Sequence, residues 1–204
     1  MTVLQSTLQN PATATLLKLV QARRIYYSLS AASPVPDAAI EEIMQNAVLH
    51  VPSSFNSQTT RVVLLLKDEH QRLWDATIEI MEGLVAVGTV PRESFEGHTR
   101  PKLERFRNSY GTVLFFVDYE ALAPIKDKYK LYAHMFDPFA LESNAMAQFL
   151  GMSPPTLGFG ANLQPYNPLI DTKLSAQLVF GTPTGEPEDK TFEPLESRYK
   201  VFGR

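Results

Sequence analysis

The chain contains no cysteine. This absence excludes disulfide bonds, metal sites with thiolate ligands and cysteine nucleophiles. It is typical of a reducing compartment, although many secreted proteins also lack cysteine. The stability of the chain must therefore come from its hydrophobic core.

Long hydrophobic runs are absent as well. The longest, residues 62–66 and 113–117, have the length of strands, whereas a membrane-spanning helix needs about 20 apolar residues. Residues 1–15 lack the basic start and the apolar block of a secretory signal. We expect a soluble protein of the cytoplasm, with the nucleus as a second possible location.

An excess of positive charge is also missing, since the formal net charge is -3 and the pI is near 5.8. A general nucleic-acid-binding protein carries a basic face, so we predict no nucleic-acid partner and no membrane partner. The chain does have 204 residues with 44% hydrophobic content, enough for one domain that buries about 70% of its unfolded surface. We predict a flexible N-terminal arm at residues 1–12 and a single domain at 13–204.

Apolar residues recur at helical spacing in several stretches. The first begins near Leu16 and runs into Arg23-Arg24, and the others are predicted at residues 37–50, 70–84 and 137–150. Residues 93–107 are charged and are predicted to form a helix on the surface or at a partner. Asp37 is the predicted N-cap of the second helix. The last helix is predicted to end near Leu150, because Pro154-Pro155 follows and proline costs a helix about 3 kcal/mol.

Three strands are predicted, at residues 61–66, 112–118 and 176–180. The first is apolar on both faces, which indicates a central position in a sheet. Strands and helices alternate without a repeated period. The chain is therefore predicted to form one α/β or α+β domain without internal repeats.

Six short motifs connect the chain to a known family. In chain order they are Arg23-Arg24-Ile25-Tyr26, Pro52-Ser53-Ser54-Phe55-Asn56-Ser57-Gln58, Gly111-Thr112-Val113-Leu114-Phe115-Phe116, Ala161-Asn162-Leu163-Gln164, Tyr166-Asn167-Pro168-Leu169 and Arg198-Tyr199-Lys200-Val201-Phe202-Gly203. Together, over about residues 14–203, they resemble the nitroreductase family. The most similar branch is the fungal and bacterial group related to the yeast fatty-acid-repression proteins.

The resemblance implies an α+β sandwich in which helices flank a mostly antiparallel sheet. It also implies a homodimer, formed through a long central helix, with FMN in the interface and residues from both subunits at each site. Members of the family reduce the flavin with NADH or NADPH. They then pass electrons to nitroaromatics, quinones or related acceptors.

Arg23 and Arg24 end a predicted helix, and arginine supplies both the charge and the planar donors that a phosphate needs. By resemblance, these two residues hold the FMN phosphate with the help of Tyr26. The alternative is that basic residues close a helix and complement its dipole.

The polar loop, residues 52–58, offers neutral donors and acceptors in Ser53, Ser54, Asn56 and Gln58. Such groups can bind the ribityl hydroxyls and the pyrimidine edge of a flavin without adding charge. The resemblance implies this role. The alternative is an ordinary loop that follows a helix.

Further candidate residues also rest on the resemblance. Arg198 and Lys200 correspond to a basic pair that reaches the flavin phosphate, although they could form a solvated tail. Leu163 and Gln164 match the segment whose backbone approaches the reactive edge of the flavin, although a glycine-containing turn would look the same. Tyr110 and Asn144 are candidates for the substrate pocket, or else buried polar residues of the core.

No catalytic acid or base is predicted, because hydride and electron chemistry belongs to the cofactor. The histidines share no metal-ligand spacing, so no metal site is predicted; they are His50, His70, His98 and His134. No glycine-rich dinucleotide fingerprint follows a strand. This fits a ping-pong mechanism in which donor and acceptor use one flavin site in turn.

Three functions are open on this reasoning. The first is an NAD(P)H-dependent FMN oxidoreductase acting on a small nitroaromatic or quinone-like acceptor. The second is a flavin-dependent tailoring enzyme of a fungal secondary-metabolite pathway, suggested by a connection between Asp171 and Ala176 that is shorter than is usual in the family. The third is a flavin-free dimeric regulatory or interaction protein of the same fold, suggested by Pro154-Pro155.

Overall fold

The computed structural model describes residues 10–151, 157–165 and 173–203. Its helices are α1 (Pro11–Ala22), α2 (Asp37–His50), α3 (Lys67–Ala86), α4 (Arg92–Ser94), α5 (Arg100–Arg107), α6 (Ala123–Lys128) and α7 (Phe136–Gly151). Its strands are β1 (Leu29–Ser30), β2 (Thr60–Leu66), β3 (Gly111–Val117), β4 (Gly160–Gln164) and β5 (Leu174–Pro183). A π-helical turn, Phe95–Thr99, joins α4 to α5, and short 3-10 turns cover Ser54–Asn56, Glu120–Leu122, Lys130–Met135 and Leu195–Ser197.

The strands form one antiparallel sheet. Four of them lie in the order β4, β5, β3, β2, and the short β1 pairs with the end of β5. The register places Leu64, Val113, Leu178 and Leu163 in one cross-strand row. This arrangement confirms the predicted α+β fold with a mostly antiparallel sheet between helices.

The hydrophobic core lies on both faces of the sheet. On one face, Met44 of α2 and Ala147 of α7 pack against Phe115 and Leu178. On the other face, α3 and α5 contribute a cluster around Trp74 and Phe106. A third cluster joins Val117, Leu122, Phe136 and Ala140 at the end of β3. None of the described helices is long and apolar enough to cross a bilayer.

The predicted central position of the first strand is wrong. β2 lies at the edge of the sheet among the described strands, and Val63 on its outer face is 42% exposed. An apolar run reports the character of the side chains, but it does not report how many strands flank the backbone. The central strands are β3 and β5.

Other boundaries also differ from the predictions. α1 begins at Pro11, inside the predicted arm, because the side-chain oxygen of Asn10 accepts hydrogen bonds from the Ala12 and Thr13 amides. The predicted capping role of Asp37 is wrong, since Pro36 is the N-cap and the Asp37 carboxylate binds Lys67 instead.

The other predicted helices were found with small boundary shifts, except that residues 93–107 form α4, a π-helical turn and α5. In contrast, α6, β1 and β4 were missed. β4 is short, at five residues, and contains glycine and two amide side chains, so it lacks the apolar run of a buried strand. The predicted features at Pro154-Pro155, Tyr166-Asn167-Pro168-Leu169 and Asp171 lie outside the described residues. So does most of the predicted arm.

Candidate functional site

The first group of predicted cofactor residues surrounds a cavity of about 270 Å³ at the end of α1. Arg23 and Arg24 line this cavity together with Ile25, Tyr27 and residues 188–191. The Arg24 guanidinium donates a hydrogen bond to the backbone carbonyl of Glu188. Among the described residues, neither arginine has a carboxylate partner within ion-pair distance. Glu188, Asp189 and Lys190 also line the cavity, so it brings together three cationic and two acidic side chains, although no ion pair joins Arg23 or Arg24 to a described carboxylate.

The backbone that follows these arginines runs beside β4. Ile25 forms a parallel bridge with Ala161, and the Tyr26 amide donates to the Ala161 carbonyl at 3.1 Å. The Asn162 side-chain amide donates to the Tyr26 carbonyl, also at 3.1 Å. These bonds bring the Arg23–Tyr26 segment together with the segment that contains Leu163 and Gln164.

Gly160 makes this close approach possible. A Cβ atom at this position would lie 2.8 Å from Cγ of Tyr26 and 2.8 Å from a methyl carbon of Leu29. Any other residue would push Tyr26 away from β4, because atoms at such distances overlap. Tyr26 thus packs over β4 instead of lining the cavity of Arg23 and Arg24.

Gln164 carries a buried oxygen without a partner. Its side-chain nitrogen donates to the side-chain oxygen of Asn162 and to the Leu163 carbonyl, but its Oε1 has no hydrogen bond. Gln177, its cross-strand neighbour on β5, is fully buried, and both of its amide atoms also lack partners. An unsatisfied buried polar group costs about 1–3 kcal/mol, so such groups are expected where a ligand or an ordered water completes the bonding.

The second group of predicted cofactor residues lies in the polar loop, between α2 and β2. The Asn56 amide donates to the Ser53 carbonyl at 2.9 Å, and the Gln58 amide donates to Ser53 Oγ at 2.9 Å. These two bonds fold the loop around Ser53. Ser53 and Ser54 are half-buried, whereas Asn56 and Gln58 are exposed.

The backbone of this loop is strained. The φ angles are +57° at Phe55, +53° at Asn56 and +47° at Gln58, all in the left-handed region. Asparagine tolerates this region, but a bulky residue such as phenylalanine rarely adopts it. Such residues cost about 1–3 kcal/mol each and concentrate at functional sites. The strain supports a ligand-binding role for the loop.

Aromatic packing holds Phe55 in this conformation. Its ring centroid lies 4.8 Å from that of Tyr129 and 5.2 Å from that of Phe136. An aromatic pair contributes about 0.5–1.5 kcal/mol beyond the area that it buries, so two pairs match the cost of the strained residue. Phe55 and Tyr129 were not predicted as site residues, because no spacing rule marks a ring that supports a neighbouring loop.

One chain does not bring the two groups together. β4 and β2 are separated by β5 and β3, and three inter-strand spacings amount to about 14 Å. Arg23, Arg24, Tyr26, Leu163 and Gln164 lie at the β4 edge, whereas the polar loop lies at the start of β2. The two groups of predicted residues are therefore separate in one chain, and each is a candidate half-site.

The remaining predicted residues lie elsewhere. Arg198 and Lys200 are exposed on residues 184–203, the C-terminal segment, and neither lines the cavity of Arg23 and Arg24. Asn144 is fully buried; its amide donates to the Phe116 carbonyl at 2.9 Å, and its oxygen accepts from Gln148 and Ser175.

Tyr110 belongs to a polar cluster at the start of α2. Its hydroxyl donates to Asp37, and the Lys67 ammonium lies 2.8 Å from the other Asp37 oxygen. The hydrogen bonds from Lys67 and then Tyr110 lower the pKa of Asp37, and the bond to Asp37 raises the pKa of Lys67. The hydrogen bond from the Tyr110 hydroxyl to Asp37, together with burial, raises the pKa of Tyr110. This cluster connects the start of α2 with the end of β2, which Lys67 follows, and with the start of β3, which Tyr110 precedes.

A second titratable group lies under the other face of the sheet. His70 is fully buried, and its Nδ1 is 2.9 Å from Oγ1 of Thr112, which also accepts a hydrogen bond from the Trp74 indole at 2.9 Å. Burial lowers the pKa of His70 from 6.5 to about 4. The ring is therefore neutral at physiological pH.

The residues present fit FMN. Two arginines offer a phosphate its charge-assisted bonds, and the polar loop offers neutral groups for hydroxyls and amide edges. The unpartnered Gln164 oxygen and Gln177 amide lie near the predicted ring-binding strand. Asn162, which was not predicted, also shapes this edge; its place in a strand would have been needed to recognise it.

Comparison with known proteins gives consistent findings. A model of the nitroreductase family matches residues 20–183. The nitroreductase-like protein HBN1 of Saccharomyces cerevisiae is 32% identical, over 94% of this chain and 98% of HBN1. Among solved structures, the nitroreductase CinD from Lactococcus lactis, in complex with chloramphenicol, is similar with a TM-score of 0.80 and 30% identity, over 92% of this chain and 100% of CinD.

A more distant structure shows the same fold. It is a protein from Desulfovibrio desulfuricans in complex with FMN, 19% identical with a TM-score of 0.62, over 96% of this chain and 100% of that one. At this identity, the similarity concerns the fold alone.

Proposed function

Because this chain belongs to the nitroreductase family, we propose that it is an FMN-dependent oxidoreductase that takes reducing equivalents from NADH or NADPH. The observation that carries this proposal is the meeting of the Arg23–Arg24 cavity with β4. There, Arg23 and Arg24, which form no ion pair with a described carboxylate, lie beside a strand that carries the unpartnered buried amide oxygen of Gln164. A protein of the same fold has been solved in complex with FMN.

In this proposal, Arg23 and Arg24 bind the phosphate, and the groups of the polar loop bind the neutral parts of the cofactor. Leu163 and Gln164 present the backbone of β4 to the flavin ring, with Tyr26 packed against that strand. FMN supplies hydride acceptance and electron transfer when it is bound, whereas the protein supplies position and polarity. Donor and acceptor use the same site in turn.

We further propose that the active form is a homodimer. No residue of α1 is buried, although Leu16, Leu17 and Val20 are apolar, and the C-terminal segment exposes Phe192, Leu195 and Phe202. α2 and α7 also present apolar surface, at Leu49 and Met146 among others. Large exposed apolar patches are typical of protein interfaces.

A dimer would also explain the two half-sites. The polar loop of one subunit and the Arg23–Arg24 cavity of the other could together enclose one FMN. Arg198 and Lys200, on the exposed C-terminal segment, could then reach a phosphate across the interface. The separation of the half-sites across the sheet and the exposure of the segment support this proposal.

The acceptor in this proposal is a small nitroaromatic or quinone-like molecule. CinD binds chloramphenicol and 4-nitrophenol, both nitroaromatic compounds. In this chain, the half-exposed ring of Phe55, within the polar loop, offers a surface on which a planar aromatic could pack.

The test is to purify the protein with and without added FMN, and to measure visible absorption, bound flavin per subunit and oligomeric state. We expect a yellow dimer with one FMN per subunit that is bleached anaerobically by NADH or NADPH. Re-oxidation by a nitroaromatic or a quinone then identifies the acceptor class. A folded, colourless protein that does not retain FMN would contradict the proposal.

A further inference from the structure

We propose that Phe55 is a positioning residue of the cofactor site. Its ring, clasped by Tyr129 and Phe136, holds the polar loop in the left-handed conformation that aims Ser53 and Ser54. This inference rests on the proposed function, because it concerns the same site. It assigns roles to Phe55 and Tyr129, neither of which lines the cavity of Arg23 and Arg24 or belongs to β4.

The first step of the argument is the strain itself. Phe55 has φ +57° and ψ +24° inside the Ser54–Asn56 turn. An L-residue with a bulky side chain adopts this conformation only where its surroundings over-determine it. Relaxation of Phe55 would swing Asn56 and break its 2.9 Å bond to the Ser53 carbonyl.

The second step is what opposes relaxation. Phe136 is buried in the cluster of Val117, Leu122 and Ala140, so its ring is a fixed support. The Phe55 ring packs edge-on against it and tilted on Tyr129. We call this packing of Phe55 against Tyr129 and Phe136 the clasp. It connects the polar loop to the segment from Glu120 to Met135, which includes Tyr129.

The third step is that ordinary core packing does not explain Phe55. Its side chain is 51% exposed, so its contribution to global stability is small for an aromatic residue. A strained, half-exposed phenylalanine at the centre of a polar loop is better explained by the geometry that it imposes on its neighbours.

The experiment measures the FMN Kd of the whole protein by flavin fluorescence, for the wild type and single variants. Phe55→Ala and Tyr129→Ala are each expected to raise the Kd at least tenfold, and Phe55→Tyr, which keeps the ring, to leave it within twofold. Tyr132→Ala is the matched control, because Tyr132 has the same exposure as Phe55 and lies outside the clasp. It is expected to leave the Kd within twofold.

Two further variants separate positioning from simple contact. Phe55→Gly is expected to bind FMN more tightly than Phe55→Ala, because glycine adopts positive φ freely; a contact role predicts the opposite order. The double variant Phe55→Ala/Tyr129→Ala is expected to have the same Kd as the single variant that binds FMN more weakly, because each substitution alone already breaks the clasp. A Kd for Phe55→Ala within twofold of wild type, or additive effects in the double variant, would overturn the inference.

A readout without FMN distinguishes this inference from the proposed function. Amide exchange at Asn56 and Gln58 in the flavin-free protein is expected to be at least tenfold faster in Phe55→Ala and Tyr129→Ala than in wild type. Unchanged exchange would overturn the clasp even if the wild type binds FMN. Failure of the wild type to bind FMN would overturn the proposed function, while faster exchange would still support the clasp.

Discussion

Two regions of this molecule differ in how completely one chain buries their apolar side chains. Under α3 and α5, Trp74, Phe106 and Leu103 are buried within one chain, and Thr112 joins the Trp74 and His70 rings. In contrast, α1 and the C-terminal segment expose apolar side chains, and the polar loop has a strained backbone. Arg23 and Arg24 form no ion pair with a described carboxylate. We expect the first region to supply most of the stability, and we propose that the second binds a ligand and a second subunit.

The largest test of this comparison is Trp74→Ala. Loss of a fully buried tryptophan is expected to reduce the free energy of unfolding by about 3–5 kcal/mol, because the closed face cannot collapse around the cavity. The measurement is urea denaturation, with Trp74→Phe as a control that keeps part of the ring volume. A change under about 1 kcal/mol would show that this face is not the main source of stability.

The next test uses pH on the same face. The pKa of His70 is about 4 in the fold and 6.5 in the unfolded chain, so the unfolded state binds more protons between these values. Stability is full above pH 6.5 and is lost as the pH falls towards 4, by about 3 kcal/mol in total. His70→Gln should flatten this part of the profile in denaturation curves recorded from pH 7 to pH 4. An unchanged slope in the variant would contradict the assignment.

Arg24→Met tests the other region. Charge-assisted hydrogen bonds contribute about 1.5–3 kcal/mol, so the FMN Kd should rise roughly 10- to 100-fold while the Tm stays nearly constant. Arg72→Met is the matched control, because Arg72 forms an exposed pair with Glu69 and lies on α3. Equal Kd values for Arg24→Met and the control would remove Arg24 from the cofactor site.

The smallest effect concerns Gln177, where the two regions meet. Gln177→Met removes two unpartnered buried polar atoms, so the flavin-free protein should become more stable by about 1 kcal/mol. If FMN or a water that it orders satisfies this amide, the variant should also bind FMN more weakly. Thermal unfolding with and without FMN separates the two effects, and a destabilised flavin-free variant would show that Gln177 already has its partner.

Much of the fold could be predicted because its elements have strong local patterns. The helix at Asp37–His50 has an apolar stripe, and the strand at Gly111–Val117 has a continuous apolar run. β4 could not be predicted in this way, because its strand conformation depends on pairing with β5 and on the bridge from Ile25. The edge position of β2 was missed for the same reason, since pairing is a tertiary property.

The site shows the same division. Arg23 and Arg24 could be found from residue type and the family resemblance, and the structure places them around one cavity. Phe55 could not, because its importance lies in a backbone angle and in rings about 75 and 80 residues later in the chain. The roles of all the predicted site residues, Arg23 and Arg24 included, remain predictions.

The position of β2 has a consequence for the behaviour of the free subunit. No described strand pairs with its outer edge, and a row of free backbone N–H and C=O groups is a template for aggregation. Charged residues stand near both ends of this strand: Arg61 is paired with Asp118, and Lys67 is paired with Asp37. Such charges discourage repeated edge-to-edge stacking of β2, so we expect the isolated chain to resist fibre formation even though its apolar surfaces are exposed.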